Sequence, residues 1–239
     1  MAAPDTSPLH LAILAAGAFP EREEVRSRLL HADRILCCDS AAQLLLPYRE
    51  PDLVTGDLDS LQPQLRERFQ SILHPNSDQE TNDQTKAFHL CVKTWMQPLL
   101  PSQNLFLTLY GATGKREDHT LGNIALLSDY ADMLQEAGWN PATTLSMVSD
   151  FGSFFPLRDS SLLRVKPGQA LSIFSFDPSL VLHNQGLEYP THLVKWQHWW
   201  MATLNRAAQQ EIRMVFNHPA PVLIYLPDYF GPSPWIGTI

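Results

Sequence analysis

Three short apolar runs, at residues 11–16, 34–38 and 53–55, constrain the fold of this chain more than anything else in it. Each is shorter than an ordinary helix and gives way to small or acidic residues: Gly17, Asp39-Ser40 and Gly56-Asp57. Segments with helical spacing lie between them. Residues 21–30 put Val25, Leu29 and Leu30 on one face, and a short helix at 41–46 stops before Pro47. The alternation continues with a helix at 63–69 and a short strand at 72–73. A helix from residue 83 follows, with Phe88, Cys91, Val92, Trp95 and Met96 spaced i, i+3, i+4, i+7, i+8. Thr81 or Asn82 can cap it. A strand at 105–110 and a helix at 117–135, closed by Gly138, complete the series. Such alternation implies a parallel α/β sheet, whose ligands sit outside the carboxyl ends of the strands. Beyond residue 140, strands at 145–148, 162–165, 170–176 and 222–226 alternate with turn residues and no long helical pattern. The expected organisation is an α/β domain over residues 1–143 and a smaller all-β domain over 144–239. Residues 1–9 read as a loose leader.

With 239 residues and 44% hydrophobic content, either domain can bury a core. A net charge of −8 argues against a nucleic-acid backbone as the main partner. Residues 11–19 are apolar but far too short to span a bilayer, and no basic residue precedes them, so neither a targeting segment nor a membrane role is expected. The three cysteines, Cys37, Cys38 and Cys91, lie in apolar stretches without metal-binding spacing. Buried free thiols and a cytoplasmic location follow as expectations.

The chemistry concentrates at strand ends. Asp57 and Asp59 flank one residue, and in extended chain such a pair points to one side, so both carboxylates can aim at one point. Close carboxylates repel unless a cation lies between them, and a hard ion such as Mg²⁺ meets that need. The competing reading is an Asp/Ser turn after a strand. Residues 111–119 run from a strand into a helix with Gly111, Gly114, Lys115 and Arg116, a setting that suits phosphate or a plain solvated turn. The Walker pattern is absent there. Trp196, Trp199 and Trp200 fall at i, i+3, i+4, which fits packing in a core or interface, or ring stacking in a site.

Taken in order, four motifs resemble the thiamine pyrophosphokinase family. They are Asp39 after a strand; Gly56-Asp-Leu-Asp-Ser60; Asp78-x-x-Thr-Asn-Asp-x-x-Lys86-Ala87; and Gly111-Ala-Thr-Gly-x-Arg-x-Asp-His-Thr-x-x-Asn123. Gly186-Leu-Glu-Tyr-Pro190 is a weaker fifth match. The resemblance implies a nucleotide-binding α/β domain followed by a β-sandwich that binds thiamine and dimerises. It implies a homodimer with shared active sites, and transfer of a pyrophosphoryl group from ATP to the thiamine hydroxyl with release of AMP. It further implies catalytic and Mg²⁺-holding roles for Asp57, Asp59 and Asp83. Contacts to ATP or its phosphates would come from Asp39, Ser60, Lys86, Gly111, Thr113, Gly114, Arg116, Asp118, His119 and Asn123. Thr81 and Asn205 would contact thiamine. The chain departs from the family at Asp39-Ser40-Ala41, where Asp-Gly-Gly is usual, and at Leu204-Asn205, where Ser-Asn is usual. The alternatives are a pyrophosphokinase for another alcohol, such as a hydroxymethylpterin, and a non-catalytic nucleotide-binding protein.

Overall fold

The computed structural model describes residues 8–101 and 103–239. The expected leader falls largely outside the described residues. The chain divides into two compact units. The first runs to Leu126 and includes Met147–Asp150; the second comprises Leu127–Ser146 and Phe151–Ile239.

In the first unit, β1 (Leu9–Leu14), β2 (Arg34–Cys38), β3 (Leu53–Gly56) and β4 (Leu73–Pro75) alternate with α1 (Glu23–Leu30), α2 (Ala41–Leu45) and α3 (Pro63–Arg68). Next come α4 (Asp83–Cys91), a π-helical turn at Val92–Met96, β5 (Leu105–Tyr110), and α5 (Glu117–Glu136), whose N-terminal half belongs to this unit. The expected parallel sheet is present. Among the described residues β1 pairs in parallel with both β2 and β5, β2 with β3, and β3 with β4. Leu11, Ile13, Ile35, Leu36, Val54, Leu107 and Leu109 are all fully buried, which is why these strands read as continuous apolar runs rather than alternating ones. After β4 the chain returns to the far side of β1, so strand order reverses between β1 and β5. That gap is the topological switch point, where an open parallel sheet leaves a crevice.

A short helix α6 (Pro141–Thr144) leads into β6 (Leu145–Ser149). The sequence reading assigns this strand to the all-β segment. Instead β6 neighbours β5, and Met147–Asp150 groups with the first unit. Asp150 shows what it contributes there: its carboxylate accepts from the backbone N–H of Glu21 (2.9 Å) and Arg22 (3.1 Å), just ahead of α1.

The second unit contains β7 (Gly152–Leu157), β8 (Ser161–Arg164), β9 (Ala170–Ser175), β10 (Leu182–Gln185), β11 (Ala202–Arg206), β12 (Glu211–Phe216), β13 (Val222–Pro227) and β14 (Trp235–Thr238). Antiparallel pairing builds the order β11-β9-β13-β7 and a separate four-stranded sheet, β10-β12-β8-β14. Their inner faces share one core that includes Phe155, Leu163, Ile173, Leu182, Ile212, Met214 and Ile224, as a β-sandwich requires. Along β12 buried Ile212, Met214 and Phe216 alternate with exposed Glu211, Arg213 and Val215.

Trp196, Trp199 and Trp200 lie in the irregular stretch between β10 and β11. Trp196 is buried in the sandwich core, as the packing reading expects, while half-exposed Trp199 stacks on Phe176 and Trp200 on His198. One expectation needs correction: the extended geometry expected for Asp57 and Asp59 is absent. Strand β3 ends at Gly56, Leu58 takes a left-handed φ of 65°, and Asp59 N–H donates to Asp57 Oδ1 (3.1 Å) in a tight turn. Burying the Leu58 side chain accompanies the turn and replaces strand alternation. Among the described residues no helix is long and apolar enough to cross a membrane. All three cysteines are buried and free, as expected.

Candidate functional site

The switch point opens into a cleft of about 470 Å³ within the first unit. Its floor follows from the close approach of two strand ends. Ala15 N–H donates to the Tyr110 carbonyl (2.8 Å), Gly17 to that of Gly111 (2.7 Å), and Ala18 to that of Thr113 (2.8 Å). A Cβ on Gly17 would stand 2.2 Å from the Gly111 oxygen. One on Gly111, whose φ is +60°, would stand 2.4 Å from the Ala15 oxygen. Only glycine fits at either position.

One wall is acidic. Asp39 follows β2 in a left-handed conformation with φ 45°. Its Oδ2 accepts from the Ser60 hydroxyl, while its buried Oδ1 has no hydrogen-bond partner. Burial pushes the Asp39 carboxyl above its ordinary range. The Ser60 hydrogen bond pulls it back, and the negative charges of Asp57 and Asp83 push it up further. Asp83 opens α4, behind the cap made by Asn82 Oδ1 on Thr85 N–H (2.9 Å). Lys86, one turn on and almost wholly buried, brings its Nζ to 3.2 Å from Asp83 Oδ1.

The facing wall is basic. Residues 111–116 lead from β5 to α5, and Lys115, Arg116 and His119 line the cleft. Lys115 Nζ donates to the Ala16 carbonyl (2.8 Å). Arg116 forms a paired contact with Asp118 (2.5 and 3.1 Å), and this guanidinium holds the Asp118 carboxyl down at about 2. The Asn123 side chain is engaged at both ends. It donates to the Ala112 carbonyl (2.8 Å) and accepts from Asn82 Nδ2 (3.0 Å).

Of the residues singled out from sequence, Asp39, Asp57, Ser60, Thr81, Asp83, Lys86, Gly111, Thr113, Arg116, His119 and Asn123 line this cleft. Asp59, Gly114 and Asp118 do not. Asn205 belongs to the second unit, where it is buried and knits β11 to the Tyr189 loop. It donates to the Tyr189 carbonyl (2.9 Å) and accepts from the N–H groups of Tyr189 (3.2 Å) and Arg206 (2.8 Å). Beside it Leu204 is 84% exposed, with a left-handed φ of 62°. Residues missed from sequence include Gln79 before α4, buried Gln84 on it, and the residues after β1, while Asn82, read as a cap, also lines the cleft. The drop from an apolar run to Ala15-Ala16-Gly17 was the available signal for the residues after β1.

In kind, the acidic wall suits a hard divalent cation. Its donors are all carboxylate oxygens, and buried Asp39 Oδ1 is unpaired beside the charges of Asp57 and Asp83. Among the described residues, no three carboxylate, imidazole or thiol side chains are grouped closely enough to hold a metal ion in this conformation. A hollow of about 520 Å³ in the second unit, beside Ser179 and Trp196, has no carboxylate in its lining. The acidic and basic walls therefore make the switch-point cleft the candidate site.

Two family models match the chain: "Thiamin pyrophosphokinase, catalytic domain" over residues 25–136 and "Thiamin pyrophosphokinase, substrate-binding domain" over residues 152–225. "Thiamine pyrophosphokinase 1" of Oryza sativa subsp. japonica is 30% identical over 101 residues, which are 41% of this chain and 38% of that protein. "Thiamine pyrophosphokinase 2" of the same plant is 32% identical over 85 residues, 35% of this chain and 32% of that protein. The matched stretches thus span well under half the length of these relatives. The fold is that of solved structures under the same name. The Bacillus subtilis protein covers 92% of this chain and 99% of its own at TM-score 0.69 and 17% identity. The Candida albicans protein covers 94% of each at 0.70 and 16%.

Proposed function

Because the chain belongs to the thiamin pyrophosphokinase family, we propose that it transfers a pyrophosphoryl group from ATP to the hydroxyl of thiamine, giving thiamine diphosphate and AMP. The observation that carries this reading is the cleft at the switch point, with a carboxylate wall facing a glycine-rich loop that bears Lys115 and Arg116. A polyphosphate fits between such walls. Lys86 and Arg116 would neutralise phosphate oxygens, and the start of α5 favours negative charge. Asp57, Asp59 and Asp83, with Asp39 beside them, are the residues proposed to hold Mg²⁺. When bound, the ion would withdraw charge from the polyphosphate.

In the transfer, the thiamine hydroxyl oxygen forms a bond to the β-phosphorus. The bond from that phosphorus to the oxygen bridging the α-phosphate breaks, and AMP leaves with this oxygen. The hydroxyl proton passes to a carboxylate, for which the Asp57/Asp59 turn is proposed. What the protein supplies is alignment and charge neutralisation. Thr81 on the cleft wall is proposed to touch thiamine. The second unit would supply further thiamine contacts around Asn205, within a homodimer whose sites are shared between chains. Exposed Trp199, Trp200 and Leu204 support an interface there. A cytoplasmic location is proposed on the three buried reduced thiols.

The deciding experiment incubates the protein with ATP, Mg²⁺ and thiamine and resolves the products. AMP and thiamine diphosphate, each dependent on both substrates, are expected. ADP with thiamine monophosphate would overturn the reaction assignment.

A further inference from the structure

We propose that Asn82 and Asn123 are positioning residues, joined in a one-directional amide relay that holds the phosphate-facing loop at 111–113 in its working conformation. The relay has three bonds. Asn82 Oδ1 accepts from Thr85 N–H (2.9 Å), Asn82 Nδ2 donates to Asn123 Oδ1 (3.0 Å), and Asn123 Nδ2 donates to the Ala112 carbonyl (2.8 Å). Its direction is fixed at both ends. A backbone N–H can only donate and a carbonyl can only accept, so neither amide can be flipped without setting like groups against each other. Serine, threonine or aspartate can cap a helix as well as asparagine does. Aspartate has no donor, and a serine or threonine hydroxyl is a single atom, whereas Asn82 uses two separate ones, Oδ1 toward Thr85 and Nδ2 toward Asn123. The asparagine there therefore does more than cap.

What the relay controls is the loop. The carbonyls of Gly111, Ala112 and Thr113 all accept from donors of the protein: Gly17 N–H, Asn123 Nδ2 and Ala18 N–H. Backbone oxygens left facing the cleft would repel phosphate; committed in this way, they do not. Two of the three ties come from the segment after β1, whose glycine lets the backbones meet. The middle tie comes through Asn123 from α4, the helix that also carries Asp83 and Lys86. The relay thus couples the acidic wall to the basic loop. Asn123, singled out from sequence as a phosphate contact, has its amide used within the protein and acts on phosphate through Ala112.

This inference rests on the proposed nucleotide reading, and the test separates the two. Asn82→Ser keeps a capping oxygen and takes away the amide NH₂ that reaches Asn123. Asn123→Leu keeps the shape and removes the amide without adding charge. Binding of a non-hydrolysable ATP analogue with Mg²⁺ is measured by calorimetry, and KM for ATP and for thiamine by AMP release. Each variant is expected to weaken the analogue and raise KM for ATP about tenfold, with KM for thiamine within twofold of wild type. Because the bonds act in series, the double variant should fall within twofold of the worse single one. A thermal scan reports folding. If Asn123→Leu fails to fold, Asn82→Ser decides alone. Unchanged nucleotide affinity in a folded Asn82→Ser protein, equal loss for both substrates, or multiplying effects in the double variant would overturn the relay. Wild-type protein that binds the analogue but releases no AMP with thiamine would sink the transfer reading while leaving the relay to the binding data. Wild-type protein that binds no nucleotide would overturn both.

Discussion

The strands of the first unit and those of the second bury their side chains in different ways, and this decides where chemistry can sit. Strands β1, β2 and β5 are buried on both faces over most of their length. No face is left for function, so polar residues collect where the strands end, and four such ends meet at one cleft. Strands β9 and β12 alternate, one side in the sandwich core and the other outward. In that unit functional groups can lie on faces and in loops, spread through the sequence. A fully covered sheet concentrates its site; a half-covered sheet disperses it.

The sharpest way to break this contrast is to alter one carboxylate of the cleft. Asp57→Asn preserves shape and removes a charge from the acidic wall. Turnover at saturating ATP and thiamine should fall at least about a hundredfold with the thermal midpoint unchanged, the scale of losing one charge-stabilising group. Near-normal turnover at high Mg²⁺ would end the metal role. Asp59→Asn, outside the cleft lining, should lose less, and an equal loss would show that the turn as a whole carries the cation. For the second unit the expected effect is on stability. Ile212→Ala opens a cavity between the two sheets where the side chain is fully buried, and should cost about 2–5 kcal/mol in urea unfolding.

The smallest effect concerns pH. His10, on β1, bonds through Nε2 to Thr108 Oγ1 (3.1 Å). Burial, with Arg28 beside it, lowers its pKa to about 4, against an opposing pull from Asp33. A depressed value means that its contribution to stability is complete above pH 6.5 and is lost as pH falls toward 4. At pH 5 the loss should reach about 2 kcal/mol. Urea unfolding at pH 7 and pH 5 measures it, and His10→Gln should flatten the difference. In the second unit Asp177 is held at about 2 by Ser179 and His218, so it stays ionised through the same change.

The contrast also explains how much was legible beforehand. Residues 34–38 read as a strand and form one with the same bounds, because a doubly buried strand is a continuous apolar run. The motif residues at strand ends were legible for the same reason: a sharp change from apolar to polar marks where a strand stops. Strands β7, β10, β11, β12 and β14 went unread. Strands β10, β11 and β14 have four or five residues, β12 is half exposed, and β7 carries Gly152 and Pro156; all are defined by partners far along the chain, so local pattern competes poorly with turn composition. The turn after β3 was one of the two readings open in the sequence, but its left-handed, buried Leu58 was not legible, since leucine has no local preference for that conformation. Asn82 was read as a possible cap and is one, but its second hydrogen bond depends on a residue 41 positions away.

The order of strands bears on how the chain reaches this state. The cleft lies between β1 and β5, and their register begins with Leu9 beside Leu105. Among the sheet pairings of the first unit this one spans the most sequence; β1–β2, β2–β3 and β3–β4 are all far more local. Closing so long a loop before any contact rewards it is slow. During synthesis, β1 must wait for nearly a hundred further residues before its second neighbour exists. For that interval its open edge is a bare row of backbone donors and acceptors, exposed to pairing with another nascent chain. The seam that opens the cleft is therefore also the seam most exposed to misassembly.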